Sequence, residues 1–202
     1  MRLVRFISYH SRRRRDAMRV ITGIARGRRL DTLPGDATRP TGEKVKESLF
    51  SAIQFDIEGR RVLDLFAGSG QLGIEALSRG ASGCVFVDKN TEAVKIIRQN
   101  LLHTGLAEKS QVLGTDALTY LTRPGDRFDL VFLDPPYASE LLKPVLDKVV
   151  PLVNDGGIIV CETDDVTELP ATLDRFAIAK TYRFGHTLVW LYRYNLEGKV
   201  SV

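Results

Sequence analysis

The sequence predicts an α/β protein. Its core would be a seven-stranded, mostly parallel, doubly wound sheet closing in a C-terminal antiparallel hairpin, preceded by a small basic β-hairpin. Three observations carry this reading. Five short apolar runs alternate with segments of helical periodicity, the pattern of repeated strand–helix units. A glycine-rich turn follows the first run, and an aspartate stands at the end of each of the next three. The last two runs, 177–184 and 187–194, are separated only by Gly185-His186, a spacing for a hairpin and too short for a crossover.

The elements follow in order. Arg19-Val-Ile-Thr22, Gly23 to Gly27 and Arg28-Arg-Leu30 suit a hairpin whose glycines supply the turn. Thr41 is placed to cap a helix over about 42–55, with Val45, Leu49, Phe50 and Ile53 on its apolar side and Lys44 and Lys46 on the other. Strands are predicted at 61–66, 84–88, 111–113, 128–133 and 158–162. Helices are predicted at 71–79, 91–103, 117–121 and 139–152, with Asn154-Asp-Gly-Gly157 as a turn. Phe184, Trp190, Tyr192 and Tyr194 alternate in the final hairpin, which points to sheet packing ahead of base stacking.

The chain has 202 residues, 44% hydrophobic and 27% charged, enough for one sizeable domain of ordinary globular composition. No run is long and apolar enough to span a membrane. Cys84 and Cys161 sit inside strand-like runs and read as reduced core residues of a cytoplasmic protein. His10, His103 and His186 lack metal-ligand spacing, so no metal is expected. The net charge of +4 is unevenly divided. Residues 1–50 carry 13 Lys/Arg against 5 Asp/Glu, and residues 51–202 carry 16 against 20. A basic front on a mildly acidic body fits a nucleic-acid-binding arm on a catalytic domain. The expected organisation is a disordered basic extension over 1–17, a basic arm over 18–41 and a catalytic domain over 42–202. Met18 is the expected natural start, because it precedes the first well-patterned segment.

The chemistry concentrates at the carboxyl ends of the predicted strands. Asp134-Pro-Pro-Tyr137 ends the run Phe128–Leu133, because prolines lack the N–H groups a ladder needs. Asp134 and the Pro135 carbonyl can accept both protons of a planar exocyclic amine, and Tyr137 can stack on a base. The plainer reading is a strand-end turn. Gly68-Ser-Gly70-Gln-Leu-Gly73 matches a dinucleotide-binding turn, with Asp88 about 20 residues on. Asp64 lies just before that turn, where its charge would oppose a pyrophosphate and favour a sulfonium. With Asp116 and Asp134 it makes four acidic strand ends on one rim. That rim favours S-adenosylmethionine over a dinucleotide. Each aspartate taken alone could be a helix cap. Arg19, Arg26, Arg28, Arg29 and Arg39 would contact phosphates.

Asp64-Leu-Phe-Ala-Gly-Ser-Gly70, Val87-Asp88, Asp116-Ala117 and Asp134-Pro-Pro-Tyr137 resemble the successive motifs of class I S-adenosylmethionine-dependent methyltransferases acting on exocyclic amines. Arg19-Val-Ile-Thr-Gly23, Ala25-Arg-Gly-Arg28, Leu33-Pro34, Thr38-Arg-Pro-Thr41, Lys46-Glu47 and Leu49-Phe50 further resemble the RsmD family. The resemblance implies a Rossmann-like fold and methylation of a guanine N2 in small-subunit (16S) ribosomal RNA, free or within an assembling subunit; nothing in the sequence demands a dimer, so a monomer is expected. It implies catalytic roles for Asp134, Pro135 and Tyr137. It implies a cofactor set of Asp64, Phe66, Gly68, Gly70, Asp88, Lys89, Asp116 and Ala117, with S-adenosylhomocysteine as product. Alternatives at this point are an adenine-N6 methyltransferase and a non-catalytic RNA-binding assembly factor.

Overall fold

In the computed structural model, residues 18–33, 40–123, 125–135 and 141–195 are described. Helix α1 spans Pro40–Ala52. It begins ahead of Thr41, the expected cap, because proline suits the first helical position: its fixed φ is already helical and it has no N–H to leave unpaired. The strand–helix units follow: β1 Arg61–Asp64, α2 Gln71–Ser78, β2 Gly83–Asp88, α3 Thr91–Thr104, β3 Ser110–Gly114, α4 Ala117–Tyr120 and β4 Phe128–Leu133. Then come α5 Leu142–Val149, β5 Val153–Asp164, β6 Thr172–Leu173, β7 Phe176–Phe184 and β8 Thr187–Tyr194.

The sheet order is β3-β2-β1-β4-β5-β8-β7-β6. β1 to β5 are parallel and β6 to β8 antiparallel. This is the expected doubly wound sheet with its terminal hairpin, plus one strand. The additional β6 is two residues long, too short to leave a pattern in the sequence. The predicted turn at 154–157 lies inside β5 instead. Phe128 pairs with Val153 and Leu130 with Ile158, so the four intervening residues of β5 bulge out. Gly157 is required there, since a Cβ would lie 2.5 Å from Val153 Cγ1.

Two cores sandwich the sheet. One packs α1, α2, α3 and the segment 18–33 against Val62, Phe86, Phe132 and Val160. The other packs α4 and α5 against Leu63, Val87, Val131, Leu133 and Cys161. Both cysteines are buried free thiols in these cores, and burial pushes each thiol up. Tyr192 is fully buried, and Trp190 donates to Thr163 Oγ1 at 2.9 Å, so these aromatics serve packing as the alternation suggested. Among the described residues no helix is long and apolar enough to cross a membrane.

Segment 18–33 doubles back as the expected hairpin, but a short one. One antiparallel bridge, Arg19↔Arg29, joins its two limbs, with backbone hydrogen bonds from Val20 N–H to the Arg28 carbonyl, Gly27 N–H to the Val20 carbonyl and Leu30 N–H to the Met18 carbonyl. The ladder is short because the N–H groups of Ile21, Thr22, Ile24 and Ala25 go to α2. Glu75 accepts from Ile21 and Thr22 N–H at 2.7 and 3.0 Å, and Ser78 accepts from Ile24 N–H on its carbonyl and Ala25 N–H on its hydroxyl. Val20, Ala25 and Leu30 are buried in the first core, so the segment is packed on the body of the protein.

Candidate functional site

Strand order reverses between β1 and β4, and a crevice at the carboxyl ends of these strands is where open α/β sheets bind ligands. A cavity of about 600 Å³ lies there. Its floor is built by the turns leaving β1, β2, β3 and β4. Its cover comes from Met18, Thr32 and Leu33 and from Val45, Lys46 and Leu49 of α1.

The turn after β1 is held by carboxylates. Gly68 N–H donates to Asp88 Oδ2 at 2.8 Å, and Asp88 Oδ1 accepts from Asn90 N–H at 2.8 Å. Gly73 N–H donates to Asp64 Oδ2 at 2.9 Å. In a pyrophosphate site such amides face the phosphates. Here two of them face side-chain carboxylates, so the turn presents negative charge and suits a cation with hydroxyl groups. Each carboxylate oxygen has two lone pairs, so Asp88 can accept from a ribose hydroxyl as well as from the backbone. Asp64 is 2% exposed. Burial pushes its carboxyl up to about 7, against the pull of the Gly73 hydrogen bond and with help from the Asp88 charge.

The glycines divide their work. Gly68 lines the cavity, and its φ of +53° favours glycine. Gly70, at φ +78°, lies outside the cavity lining and caps α2 instead. Gly73 lets α2 approach the sheet: a Cβ there would lie 2.3 Å from the Phe86 ring. Asp116 both lines the cavity and caps α4, accepting from Thr119 N–H at 3.2 Å. Capping and cavity lining thus coincide at this residue. Phe66, Lys89 and Ala117 also line the cavity.

Asp134 and Pro135 line the same cavity. Tyr137 and Arg39 lie outside the described residues. Arg19, Arg26, Arg28 and Arg29 do not line the cavity. Arg26 and Arg29 are exposed, Arg19 Nε donates to Glu43 at 2.8 Å, and the Arg28 guanidinium donates to the His103 carbonyl.

The sequence reading missed four residues that build this site. Lys46, expected on the solvent side of α1, is 2% exposed and lines the cavity. Its Nζ donates to the Arg19 carbonyl at 2.7 Å and lies 3.9 Å from Glu75 Oε2. Burial lowers its ammonium pKa, and Glu75 pulls it back up. The signal was present: Lys46 sits four residues before Phe50 and three before Leu49, on the apolar stripe. Asn100 is likewise on a stripe, three residues after Ile97. It accepts from Asp31 N–H at 2.8 Å and donates to the Asp31 and Ser69 carbonyls at 2.9 Å, joining segment 18–33 to the glycine turn. Glu75 is fully buried, and Glu162 of β5 lines the cavity beside Asp134. Neither had a spacing that marked it.

Strand order, acidic rim and carboxylate-held glycine turn together define a class I methyltransferase domain with a site for S-adenosylmethionine. The comparisons agree. Residues 18–193 match the family model described as "Conserved hypothetical protein 95". A Bacillus subtilis relative named "Putative rRNA methyltransferase YlbH" is 42% identical over 181 residues, covering 87% of this chain and 98% of its own. The Escherichia coli K12 protein "Ribosomal RNA small subunit methyltransferase D" is 30% identical over 188 residues, covering 90% and 92%. The structure titled "Putative methyltransferase yhhF from Escherichia coli" superposes with a TM-score of 0.78 at 31% identity, over 89% of this chain and 98% of that one. The chain belongs to this family, the RsmD family of S-adenosylmethionine-dependent methyltransferases.

Proposed function

We propose that this protein transfers a methyl group from S-adenosylmethionine to the exocyclic N2 amine of a guanine in small-subunit ribosomal RNA. One observation carries the reading: Asp134 and Pro135, two hydrogen-bond acceptors, face the same cavity as the carboxylates of the glycine turn. The names of the relatives support ribosomal RNA as the substrate class.

When bound, the cofactor supplies an electrophilic methyl on a cationic sulfonium. Asp64 and Asp88 would complement its charge and hydroxyls, Asp116 and Ala117 would take its base, and Phe66 and Lys89 would border it. The amine of guanine is a weak nucleophile, because its lone pair is delocalised into the ring. Asp134 and the Pro135 carbonyl, accepting its two protons, would hold the nitrogen with its lone pair aimed into the cavity. That is catalysis by orientation and charge placement. The proton that becomes acidic on transfer can leave to Asp134. Tyr137 would stack on the base. Arg19, Arg26, Arg28, Arg29 and Arg39 would hold the RNA backbone, making binding weaken steeply with salt.

The test is transfer of tritium from labelled S-adenosylmethionine to ribosomal RNA, naked and in small-subunit particles, followed by nucleoside analysis. Label is expected in N2-methylguanosine. Label in N6-methyladenosine overturns the guanine assignment. Asp134→Ala is expected to lose nearly all turnover and keep cofactor binding.

A further inference from the structure

We propose that Glu162 is a specificity-determining residue of the acceptor site, accepting a hydrogen bond from guanine N1–H and thereby excluding adenine. The inference rests on the guanine-N2 reading of that site.

The placement follows from the sheet. Leu133 of β4 pairs in parallel with Cys161 of β5. Asp134 directly follows the last residue of β4, and Glu162 follows Cys161 in β5, so the two stand at the same end of neighbouring strands that run about 5 Å apart. Glu162 pairs with Val189, whose side chain belongs to the core on the α1 side, so Glu162 projects to the face that α1 covers. It is half-buried, and it lines the cavity together with Asp134 and Pro135. This wall thus offers two carboxylates and one carbonyl, and Pro135 has no N–H to offer.

That composition distinguishes the two purine amines. In guanine the C2 amine sits beside N1–H, a donor beside a donor. In adenine the C6 amine sits beside an N1 lone pair, a donor beside an acceptor. Both bases offer an amine to Asp134 and Pro135, so those residues alone cannot choose between them. A second carboxylate next to Asp134 can. It completes the hydrogen-bonding of guanine, whereas with adenine it faces a lone pair and leaves two acceptors opposed and unmatched. A site built to bond a substrate N–H rejects the analogue lacking it much more strongly than shape alone would.

The test uses the RNA that the wild-type protein methylates, with the target guanosine replaced by 2-aminopurine riboside. That base keeps the C2 amine and loses the N1 proton. Wild-type kcat/KM is expected to fall by about 10²-fold on this replacement. In Glu162→Gln, whose amide can donate as well as accept, the ratio is expected to shrink to under about tenfold, chiefly through a lower rate on guanosine. Glu162→Asp, which keeps the charge, should retain the preference for guanosine at reduced rate. Cofactor affinity and melting temperature, unchanged in these variants, exclude misfolding as the cause. If Glu162→Gln slows both substrates by one factor, or if the wild type treats them alike, the inference falls and the guanine assignment stands. If the wild type labels adenosine, both fall.

Discussion

At the C-terminal end of the chain, β7 and β8 pair from Phe176↔Tyr194 to Phe184↔Thr187, and β8 pairs along β5 as well. At the N-terminal end, segment 18–33 also doubles back on itself, but its pairing is limited to the Arg19↔Arg29 bridge and three backbone hydrogen bonds beside it. Its position is set by a few buried polar side chains of other elements: Glu75, Ser78 and Asn100. A ladder spreads its energy over many equivalent bonds, so loss of one is tolerated. Anchoring at three side chains concentrates it, so loss of one is felt throughout. The difference also has a functional sense. The anchored segment supplies part of the cavity cover, and Asn100 ties it directly to the glycine turn.

The largest test of this contrast is Glu75→Ala. It leaves two backbone N–H groups without their acceptor and strips both Arg79 and the buried Lys46 of a countercharge. Removing one partner from such a buried network costs about 3–5 kcal/mol. Urea denaturation followed by circular dichroism should show it as one lower midpoint. A loss under about 1 kcal/mol would mean that the segment is an independent arm after all.

Gly23 comes next. Its φ is +86°, and an added Cβ would lie 1.8 Å from the Ser78 carbonyl oxygen. Strained backbone and overpacking together predict that Gly23→Ala costs about 2–4 kcal/mol. Gly27 has a similar φ of +79° with nothing within 4 Å of the Cβ position. Gly27→Ala should therefore cost only the conformational part, about 1–2 kcal/mol. Equal melting shifts for the pair would show that contact with α2 contributes nothing.

Asn100→Ala is expected to cost about 1–3 kcal/mol by leaving the Asp31 and Ser69 backbone groups unmatched. Because one of those groups belongs to the glycine turn, binding of S-adenosylhomocysteine measured by calorimetry should weaken in parallel. Unchanged affinity would uncouple the cover from the turn. The smallest effect belongs to the C-terminal hairpin. Arg193 of β8 pairs with both oxygens of Asp56, at 3.2 and 2.7 Å, and its side chain is 37% exposed. Arg193→Met keeps the stem and should cost no more than about 1 kcal/mol, less in high salt. A larger loss would show that the ladder, too, depends on a single anchor.

This contrast also explains what could be read from the sequence. β1 to β5 are each built around a short apolar run and β7 and β8 meet at a two-residue turn, so period and punctuation identified them. The acidic rim was legible because Asp88 and Asp134 stand at strand ends and Asp64 beside a glycine turn. What escaped were interactions between distant segments. Glu75 lies 54 residues from Ile21, and Asn100 lies 69 from Asp31. No local pattern encodes such a partner; only a polar residue on an apolar stripe hints that one exists. Lys46 shows the hint being misread, since a lysine beside Lys44 looks like a solvated face until Leu49 and Phe50 are counted with it. Glu162 carried no hint, because its meaning lies in the register of β5 against β4.

Asp64 makes the cavity a proton reservoir. Its ordinary value is 3.8, and burial raises the folded-state value to about 7. A carboxyl raised on folding favours the native state while it is protonated. That contribution is fully present below about pH 4 and is lost as pH rises to about 7. A salt-bridged aspartate has the opposite sign and a lower window, gaining stability as pH rises towards the ordinary carboxylate value. A cation entering the cavity favours the ionised carboxylate, so binding near neutrality expels part of a proton. The heat of cofactor binding should then differ between buffers of unequal ionisation enthalpy, and affinity should rise with pH until Asp64 is fully ionised. Asp64→Asn should abolish both dependences.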